Sequence, residues 1–300
     1  MDVSIIILSY NGLSDHLEET LKAVFRQKTG FLYEVIVIDS GSIDGTVDFL
    51  KKQDSIRLHE IPNSEFGHGK TRQMGAGLSS GKYVVYLTQD ATPRDDRWLE
   101  NLVGKLASKD EIVAVSSRIL PRPEASPLRK YNVLREWCAG EESLEIKGSR
   151  GSVLSPSEIK EKAKMHDISS AYKKDFLLEH GFDDVSFGED VLIAKKVLEN
   201  GYAIAFEPQS TVLHSHNYGV IATYKRNVTD GKFNREYLKM ETVGSISKAL
   251  ALSFKLFLLD LNSIYKDEEI GVIKKIVNIL YSPIIHFAEM LGQFVGNRKI

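Results

Sequence analysis

Two acidic residues follow apolar runs in a way that suits metal and nucleotide chemistry. Asp90 comes just after Tyr83-Val84-Val85-Tyr86-Leu87-Thr88-Gln89, and Asp39 directly after Val35-Ile36-Val37-Ile38. If both runs are strands of one doubly wound sheet, both carboxylates emerge at the carboxyl edge, where such sheets bind ligands. A carboxylate at that edge can hold Mg2+ or Mn2+, hard cations that take oxygen ligands and bridge phosphates. Asp39 could accept the imide N–H of uracil or thymine, and Tyr10 and Asn11, ending the first apolar run, could add a stacking ring and an amide. Each residue also has a plainer use. A strand-end Asp caps the next helix, and Ser-Tyr-Asn-Gly and Ser-Ile-Asp-Gly-Thr are turn and helix-start sequences.

Three further groups carry charge or metal-binding nitrogen. Lys70 and Arg72 open an expected helix at Gly69, which would set backbone N–H groups, a helix dipole and two cations together for phosphate. Gly69-Lys70-Thr71 imitates the end of a P-loop, but Ser64 stands where that motif needs glycine. Glu189 and Asp190 place two acids before Val191–Glu199, either as proton-handling groups or simply as favourable charge at a helix start. His214 and His216 alternate along an extended segment, so they point to one side of it, although surface histidine pairs are commoner than ligand pairs.

The elements that must position these residues are legible in the first third of the chain. Short apolar runs at Val3–Leu8, Glu34–Ile38, Ile56–Ile61 and Tyr83–Leu87 are continuous, as in strands buried on both faces. Helix-period segments lie between them: Leu17, Leu21, Val24 and Phe25 share a face, and Asp44 can cap a helix with Val47, Phe49 and Leu50. This βαβ rhythm predicts an α/β fold with a mostly parallel sheet flanked by helices. From Ile119 the prolines Pro121, Pro123 and Pro127 interrupt regular structure, so 119–168 reads as a long, partly helical connection. Within it Ser155-Pro156-Ser157-Glu158 is a helix start with a capping box. A helix over Asp190–Asn200 closed by Gly201 and a strand over Ala203–Phe206 complete a second block ending near Tyr218.

Ser4–Gly12, Val35–Thr46, the Gly69-Lys70-Thr71-Arg72 helix start and Thr88-Gln89-Asp90-Ala91 together resemble family 2 glycosyltransferases of the GT-A, Rossmann-like fold. Gly181-Phe182-Asp183, Phe187-Gly188-Glu189-Asp190 and Val212–Tyr218 extend the resemblance over about 1–218. Phe66–Arg72, Thr88–Ala91 and His214–Tyr218 look more narrowly like bacterial rhamnosyltransferases. The resemblance implies a GT-A catalytic domain over 1–218, with a nucleotide-binding part at 1–118 and an acceptor-side part at 119–218. A C-terminal helical extension at 219–300 would follow. It implies an inverting transfer to a hydroxyl of a glycan acceptor, in bacterial cell-surface polysaccharide biosynthesis. L-Rhamnose from dTDP-rhamnose is the first donor and a UDP-hexose the alternative.

The same resemblance carries roles to residues. Tyr10 and Asp39 match base-contacting positions and Arg72 a basic residue near the donor; Asn11, Ser42, Lys70, Gln89 and Asp90 complete the nucleotide-sugar set. Asp90 matches the last acid of an Asp-x-Asp metal motif whose first position is Thr88 here, which leaves the Mg2+ or Mn2+ one acidic ligand fewer. His214 is taken as the histidine that completes the metal shell, with His216 the alternative. Asp190 is taken as the base that deprotonates the acceptor, with Glu189 the alternative.

Composition narrows the remaining classes. A net charge of -2 over 300 residues carries no footprint of a nucleic-acid binder, and one cysteine, Cys138, excludes an internal disulfide and fits a reducing compartment. The expected location is the cytoplasm, or the inner face of the plasma membrane as a peripheral protein. No G-x-G-x-x-G follows the first strand, which argues against a dehydrogenase, and Ser9–Asp15 lacks the Gly-rich, Arg-containing loop of a sugar-nucleotide pyrophosphorylase. Near the C-terminus Ile246, Leu250, Phe254, Phe257, Leu258 and Leu261 repeat at helical spacing, as do Ile273, Ile276, Val277, Leu280, Ile284 and Ile285 beside Lys274, Lys275, Arg298 and Lys299. Charges break every stretch long enough to span a bilayer. Two readings stand for 246–300: helices packed on the catalytic domain or a second subunit, giving a homodimer, or helices docking on a membrane surface beside a polyprenyl-diphosphate-linked acceptor. A non-catalytic scaffold of a glycan-assembly complex is the rival that Thr88 favours.

Overall fold

A computed structural model describes residues 1–298; Lys299 and Ile300, the end of the terminal segment, lie outside the described residues. The chain divides into two compact units. The first holds Met1–Leu120 and Trp137–His214, and the second holds Pro121–Glu136 and the chain from Ser215 onward.

The first unit is built on a nine-stranded sheet. Its strands are β1 (Val3–Ser9), β2 (Tyr33–Asp39), β3 (Ile56–Glu60), β4 (Tyr83–Thr88), β5 (Thr92–Pro93), β6 (Ile112–Leu120), β7 (Leu144–Lys147), β8 (Ser169–Lys173) and β9 (Ala203–Leu213). They run in the order β3-β2-β1-β4-β8-β6-β9-β5, with β7 added beside β9. The half from β3 to β4 is parallel, while β8 is antiparallel to both β4 and β6. Central β1 is buried almost throughout, so Val3, Ile5, Ile6 and Ile7 are packed on both faces of the sheet. β3 departs from the expected continuous burial. It has one neighbour, and its Ile-Arg-Leu-His-Glu residues are half-buried or exposed.

The helices of this unit are α1 (Leu17–Phe25), α2 (Thr46–Leu50), α3 (His68–Leu78) and α4 (Trp98–Ala107). Further along come α6 (Pro156–Lys162), α7 (Lys174–His180) and α8 (Glu189–Glu199), α5 belonging to the second unit as Pro127–Arg135. The Ser155 cap forms as expected: its hydroxyl accepts the Glu158 N–H at 3.4 Å while the Glu158 carboxylate accepts the Ser155 N–H at 3.0 Å. The segment 119–168 is more ordered than a connection. It contains the end of β6, α5, β7 and α6, held by non-local pairing that its own sequence does not advertise. β9 likewise runs on past Phe206 to Leu213, because a register shift against β6 absorbs the irregularity around Pro208.

The second unit contains α5 and three helices, α9 (Val220–Glu236), α10 (Ile246–Lys266) and α11 (Val272–Asn297). α9 lacks a clear apolar stripe and packs on α11 through glycines. A Cβ on Gly292 would stand 2.5 Å from the Tyr224 carbonyl oxygen, and one on Gly296 2.3 Å from that of Val228. Val243, Ala249, Met290 and Phe294 form an apolar core. Beside it lies a buried polar clip: the Asp260 carboxylate accepts from Ser282 Oγ at 2.5 Å, His286 Nε2 at 2.8 Å and the Arg135 guanidinium. Beyond this core and clip, a set of large apolar side chains is left outside. Ile246, Leu250, Phe254 and Leu258 on α10 are exposed, and so are Ile273, Ile276, Val277, Leu280 and Ile284 on α11. No helix among the described residues is long and apolar enough to cross a membrane.

Candidate active site

The loops at the carboxyl ends of β1, β2 and β4 are stitched to one another by the side chains that the sequence singles out. Asn11, in a left-handed turn at φ 49°, donates its N–H to Ser42 Oγ at 2.7 Å and accepts the Ile43 N–H at 2.9 Å. Gln89 accepts the Tyr10 N–H at 2.9 Å and donates to the Tyr10 carbonyl at 3.1 Å and to Asp15 Oδ2 at 3.0 Å. Tyr10 itself is 46% exposed at this rim. Asp39 is fully buried: Oδ1 accepts the N–H groups of Gly41 and Ser42, and Oδ2 the Ser42 hydroxyl at 2.6 Å. In this conformation Asp39 builds the loop, and direct acceptance of a base N–H by its carboxylate requires that loop to open.

Asp90 lies two residues past β4, and strand pairing brings it to His214. β5 pairs antiparallel with β9, setting Thr92 opposite Leu213, while the His214 N–H donates to the Leu120 carbonyl at the end of β6 at 2.9 Å. These pairings place His214 Nε2 3.1 Å from Asp90 Oδ2, with both side chains buried. A buried carboxylate oxygen and imidazole nitrogen this close together form a donor set that suits Mn2+ or Mg2+. Thr88, in place of a first acidic ligand, has a buried hydroxyl with no hydrogen-bond partner.

α3 positions the cationic pair unequally. Gly69 packs so tightly against the chain at Asp183 that a Cβ there would stand 2.0 Å from the Asp183 carbonyl oxygen. This approach docks the start of α3 on the loop that leads to Glu189 and Asp190. Lys70 is exposed on the first turn. Arg72 points inward and is 5% exposed, and its guanidinium meets Glu189 Oε1 at 2.5 Å and Asp167 Oδ2 at 3.4 Å. Phosphate at Arg72 would therefore compete with two carboxylates that already hold it. Glu189 is buried in the same pair, whereas Asp190 is only partly covered and accepts the Val191 N–H at 2.8 Å. Burial, with Glu189 and Asp167 close by, pushes the Asp190 carboxyl up to about 8, against the opposing pull of the Val191 N–H and Arg72.

Two neighbours of this site escaped sequence reasoning. Asp167 accepts hydrogen bonds from Ser170 Oγ at 2.6 Å and the Tyr172 hydroxyl at 2.7 Å. His166 is buried beside the half-exposed ring of Trp137 and is 2.8 Å from the Ser117 carbonyl; burial first, and also the nearby His214, holds it down to about 4, that is, neutral. Both precede β8, and the Thr88 N–H donating to the Ile168 carbonyl at 3.0 Å carries them to the end of β4. The one local signal was a His-Asp pair ahead of a short β-prone run, too common to single out.

Comparison with known proteins decides the family. Residues 4–151 match glycosyl transferase family 2. The chain is 30% identical to the O-antigen chain rhamnosyltransferase RfbN of Salmonella typhimurium, over 78% of this chain and 73% of that protein. The chain belongs to glycosyltransferase family 2. A second relative, the O-antigen chain rhamnosyltransferase WbaN of Salmonella anatum, is 29% identical over 77% of this chain and 71% of its own length. Among solved structures, a mannosyltransferase of Pyrobaculum calidifontis in complex with GDP-Man and Mn2+ superposes with a TM-score of 0.60 at 19% identity. The alignment covers 98% of this chain and 85% of that one. The architecture is accordingly the GT-A fold, as the resemblance in the sequence implied, and this family 2 protein is an enzyme that transfers sugars.

Proposed function

We propose that this glycosyltransferase moves L-rhamnose from dTDP-rhamnose to a glycan hydroxyl with inversion at the anomeric carbon, in assembly of a bacterial surface polysaccharide. The observation that carries the reading is the Asp90–His214 pair at the carboxyl edge of the sheet, in a unit that also holds Asp190. Tyr10 and the loop shaped by Asn11, Asp39, Ser42 and Gln89 face the nucleotide, and exposed Lys70 supplies positive charge for the diphosphate. A divalent cation on Asp90 and His214 would stabilise the charge that develops on the leaving diphosphate. Asp190 takes the acceptor proton as the hydroxyl attacks, because Glu189 is committed to Arg72 and Asp190 is not. The choice of rhamnose rests on RfbN and WbaN, both named O-antigen chain rhamnosyltransferases.

The exposed apolar stripes of α10 and α11 favour surface docking, with Lys255 and Lys274 bordering them, on the cytoplasmic face of a membrane that carries a polyprenyl-diphosphate-linked acceptor. A second copy of the chain on the same stripes is the alternative. The donor is tested by thermal shift of the full chain with dTDP-L-rhamnose, UDP-glucose and GDP-mannose, each with and without Mn2+, since a ligand of the folded state raises Tm. A rise confined to dTDP-L-rhamnose is the expected result. A rise with UDP-glucose and none with dTDP-L-rhamnose transfers the assignment to a UDP-hexose.

A further inference from the structure

Around Asp190 the fold gathers three carboxylates and a single guanidinium. Arg72 comes from α3, Glu189 and Asp190 from the start of α8, and Asp167 from the segment before β8. Arg72 Nη1 is 2.5 Å from Glu189 and its Nε 3.4 Å from Asp167, while a further guanidinium N–H reaches the Asp167 carbonyl at 3.3 Å. The Arg72 carbonyl in turn accepts the Tyr86 hydroxyl at 2.8 Å, and Asp167 is fixed by Ser170 and Tyr172. Arg72, Glu189 and Asp167 are thus tied to one another within a buried frame, while Asp190 accepts the N–H of its neighbour Val191. With all three acids ionised, the group would carry one positive and three negative charges in a shielded place, and a proton on one carboxylate is the direct way to relieve that excess. Glu189 and Asp167 both touch the guanidinium.

The geometry points to Arg72 and Asp167 as positioning residues for Asp190: by pairing the guanidinium with Glu189 and Asp167, the fold leaves Asp190 as the one carboxylate free to take and release a proton. This inference rests on the reading of Asp190 as the base only for its use in catalysis; the proton affinity it describes exists in the resting protein. The groups that bear on Asp190 are Glu189 on its own helix, Arg72 from α3, Asp167 from before β8, and Tyr172 from β8. Removing the negative charge of Asp167 makes Asp190 easier to ionise, whereas removing the positive charge of Arg72 makes it harder. A simple loss of packing would not give effects of opposite sign.

The test is carboxyl 13C NMR of the full chain labelled at Asp Cγ, with the Asp190 resonance assigned by its absence in Asp190→Asn. Asp167→Asn should move the Asp190 midpoint down by about one pH unit or more, and Arg72→Gln should move it up by a similar amount. Glu189→Gln should also move it down, which keeps the test decisive if Arg72→Gln does not fold. Midpoints that stay put, or that move the same way in Asp167→Asn and Arg72→Gln, overturn the inference. Full sugar transfer by Asp190→Asn would instead remove the base assignment and leave the proton-affinity result standing.

Discussion

His214 Nε2 stands 3.1 Å from Asp90 Oδ2, although 124 residues separate them in the chain. The contact exists because β5 returns antiparallel beside β9 one residue before His214. If these two side chains hold the cation, Asp90→Ala and His214→Ala should each lower kcat by about 100-fold or more, in the range for loss of an electrostatic stabiliser. The Mn2+-dependent rise in Tm should vanish in both. His216→Ala, two residues along, is the control that separates the two histidines. Retention of Mn2+ binding by His214→Ala would remove His214 from the shell.

Asp190→Asn should lower kcat by about 100- to 10,000-fold with little change in donor KM, the range expected for loss of a general base. With the carboxyl pushed up to about 8, wild-type kcat should rise with pH through that value, since the base must be ionised. The stability sign is the reverse. A carboxyl with an ordinary value of 3.8 that is raised in the fold binds its proton better folded than unfolded, so it weakens the fold progressively from about pH 4 to about pH 8. Asp190→Asn should therefore melt higher than wild type at pH 9, measured by calorimetry.

The Asp260 clip should make the second unit sensitive to alkali. Burial opposes the His286 charge, but bonds to Asp260 and Glu289 win and push it up to about 9 from 6.5. Its contribution is complete below about pH 6.5 and lost as pH rises through about 9. Asp260→Asn leaves Arg135 and His286 without their shared partner and should cost about 3 kcal/mol at pH 6, the scale for breaking a buried ion pair. Denaturant melts at pH 6 and pH 10 check both: the deficit should shrink at the higher pH.

Gly69→Ala should destabilise the first unit by about 1–3 kcal/mol, as overpacking does, since the new methyl meets backbone rather than a yielding side chain. It should also reduce kcat beyond the loss of folded protein, because the displaced loop leads into the start of α8, where Glu189 and Asp190 stand. Activity per folded molecule, from active-site titration beside circular dichroism, tells the two apart.

Leu250→Glu together with Phe254→Glu should leave donor binding intact and abolish co-sedimentation with vesicles containing phosphatidylglycerol. If sedimentation persists in this variant, or after deletion of 246–300, the α10 and α11 stripes are not the lipid contact. A concentration-dependent dimer that the same substitutions dissolve would assign the stripes to a second copy.

What could be read ahead of the structure depended on local periodicity. β1, β2 and β4 are continuous apolar runs with little else to become, and each ends in a polar turn, so Tyr10, Asp39 and Asp90 could be placed at one edge. The capping box at Ser155 was equally local. β8 was not legible, because Ser-Ser-Ala-Tyr-Lys is a strand only when β4 and β6 flank it, and with it went His166 and Asp167. The exposed stripes of α10 and α11 show the same limit. Their spacing predicted apolar helices, but not that Asp260, Ser282 and glycine contacts would occupy the inner faces.

The amino-acid order by itself determined which acids, amides and histidines stand at strand ends, because backbone alternation and turn chemistry act over a few residues. Which of them meet was decided by the tertiary structure. Pairing across the sheet joined Asp90 to His214, and burial committed Arg72 to Glu189 and Asp167. Such choices depend on shielding from water and on partners a hundred residues away, and neither quantity is defined until the chain has folded.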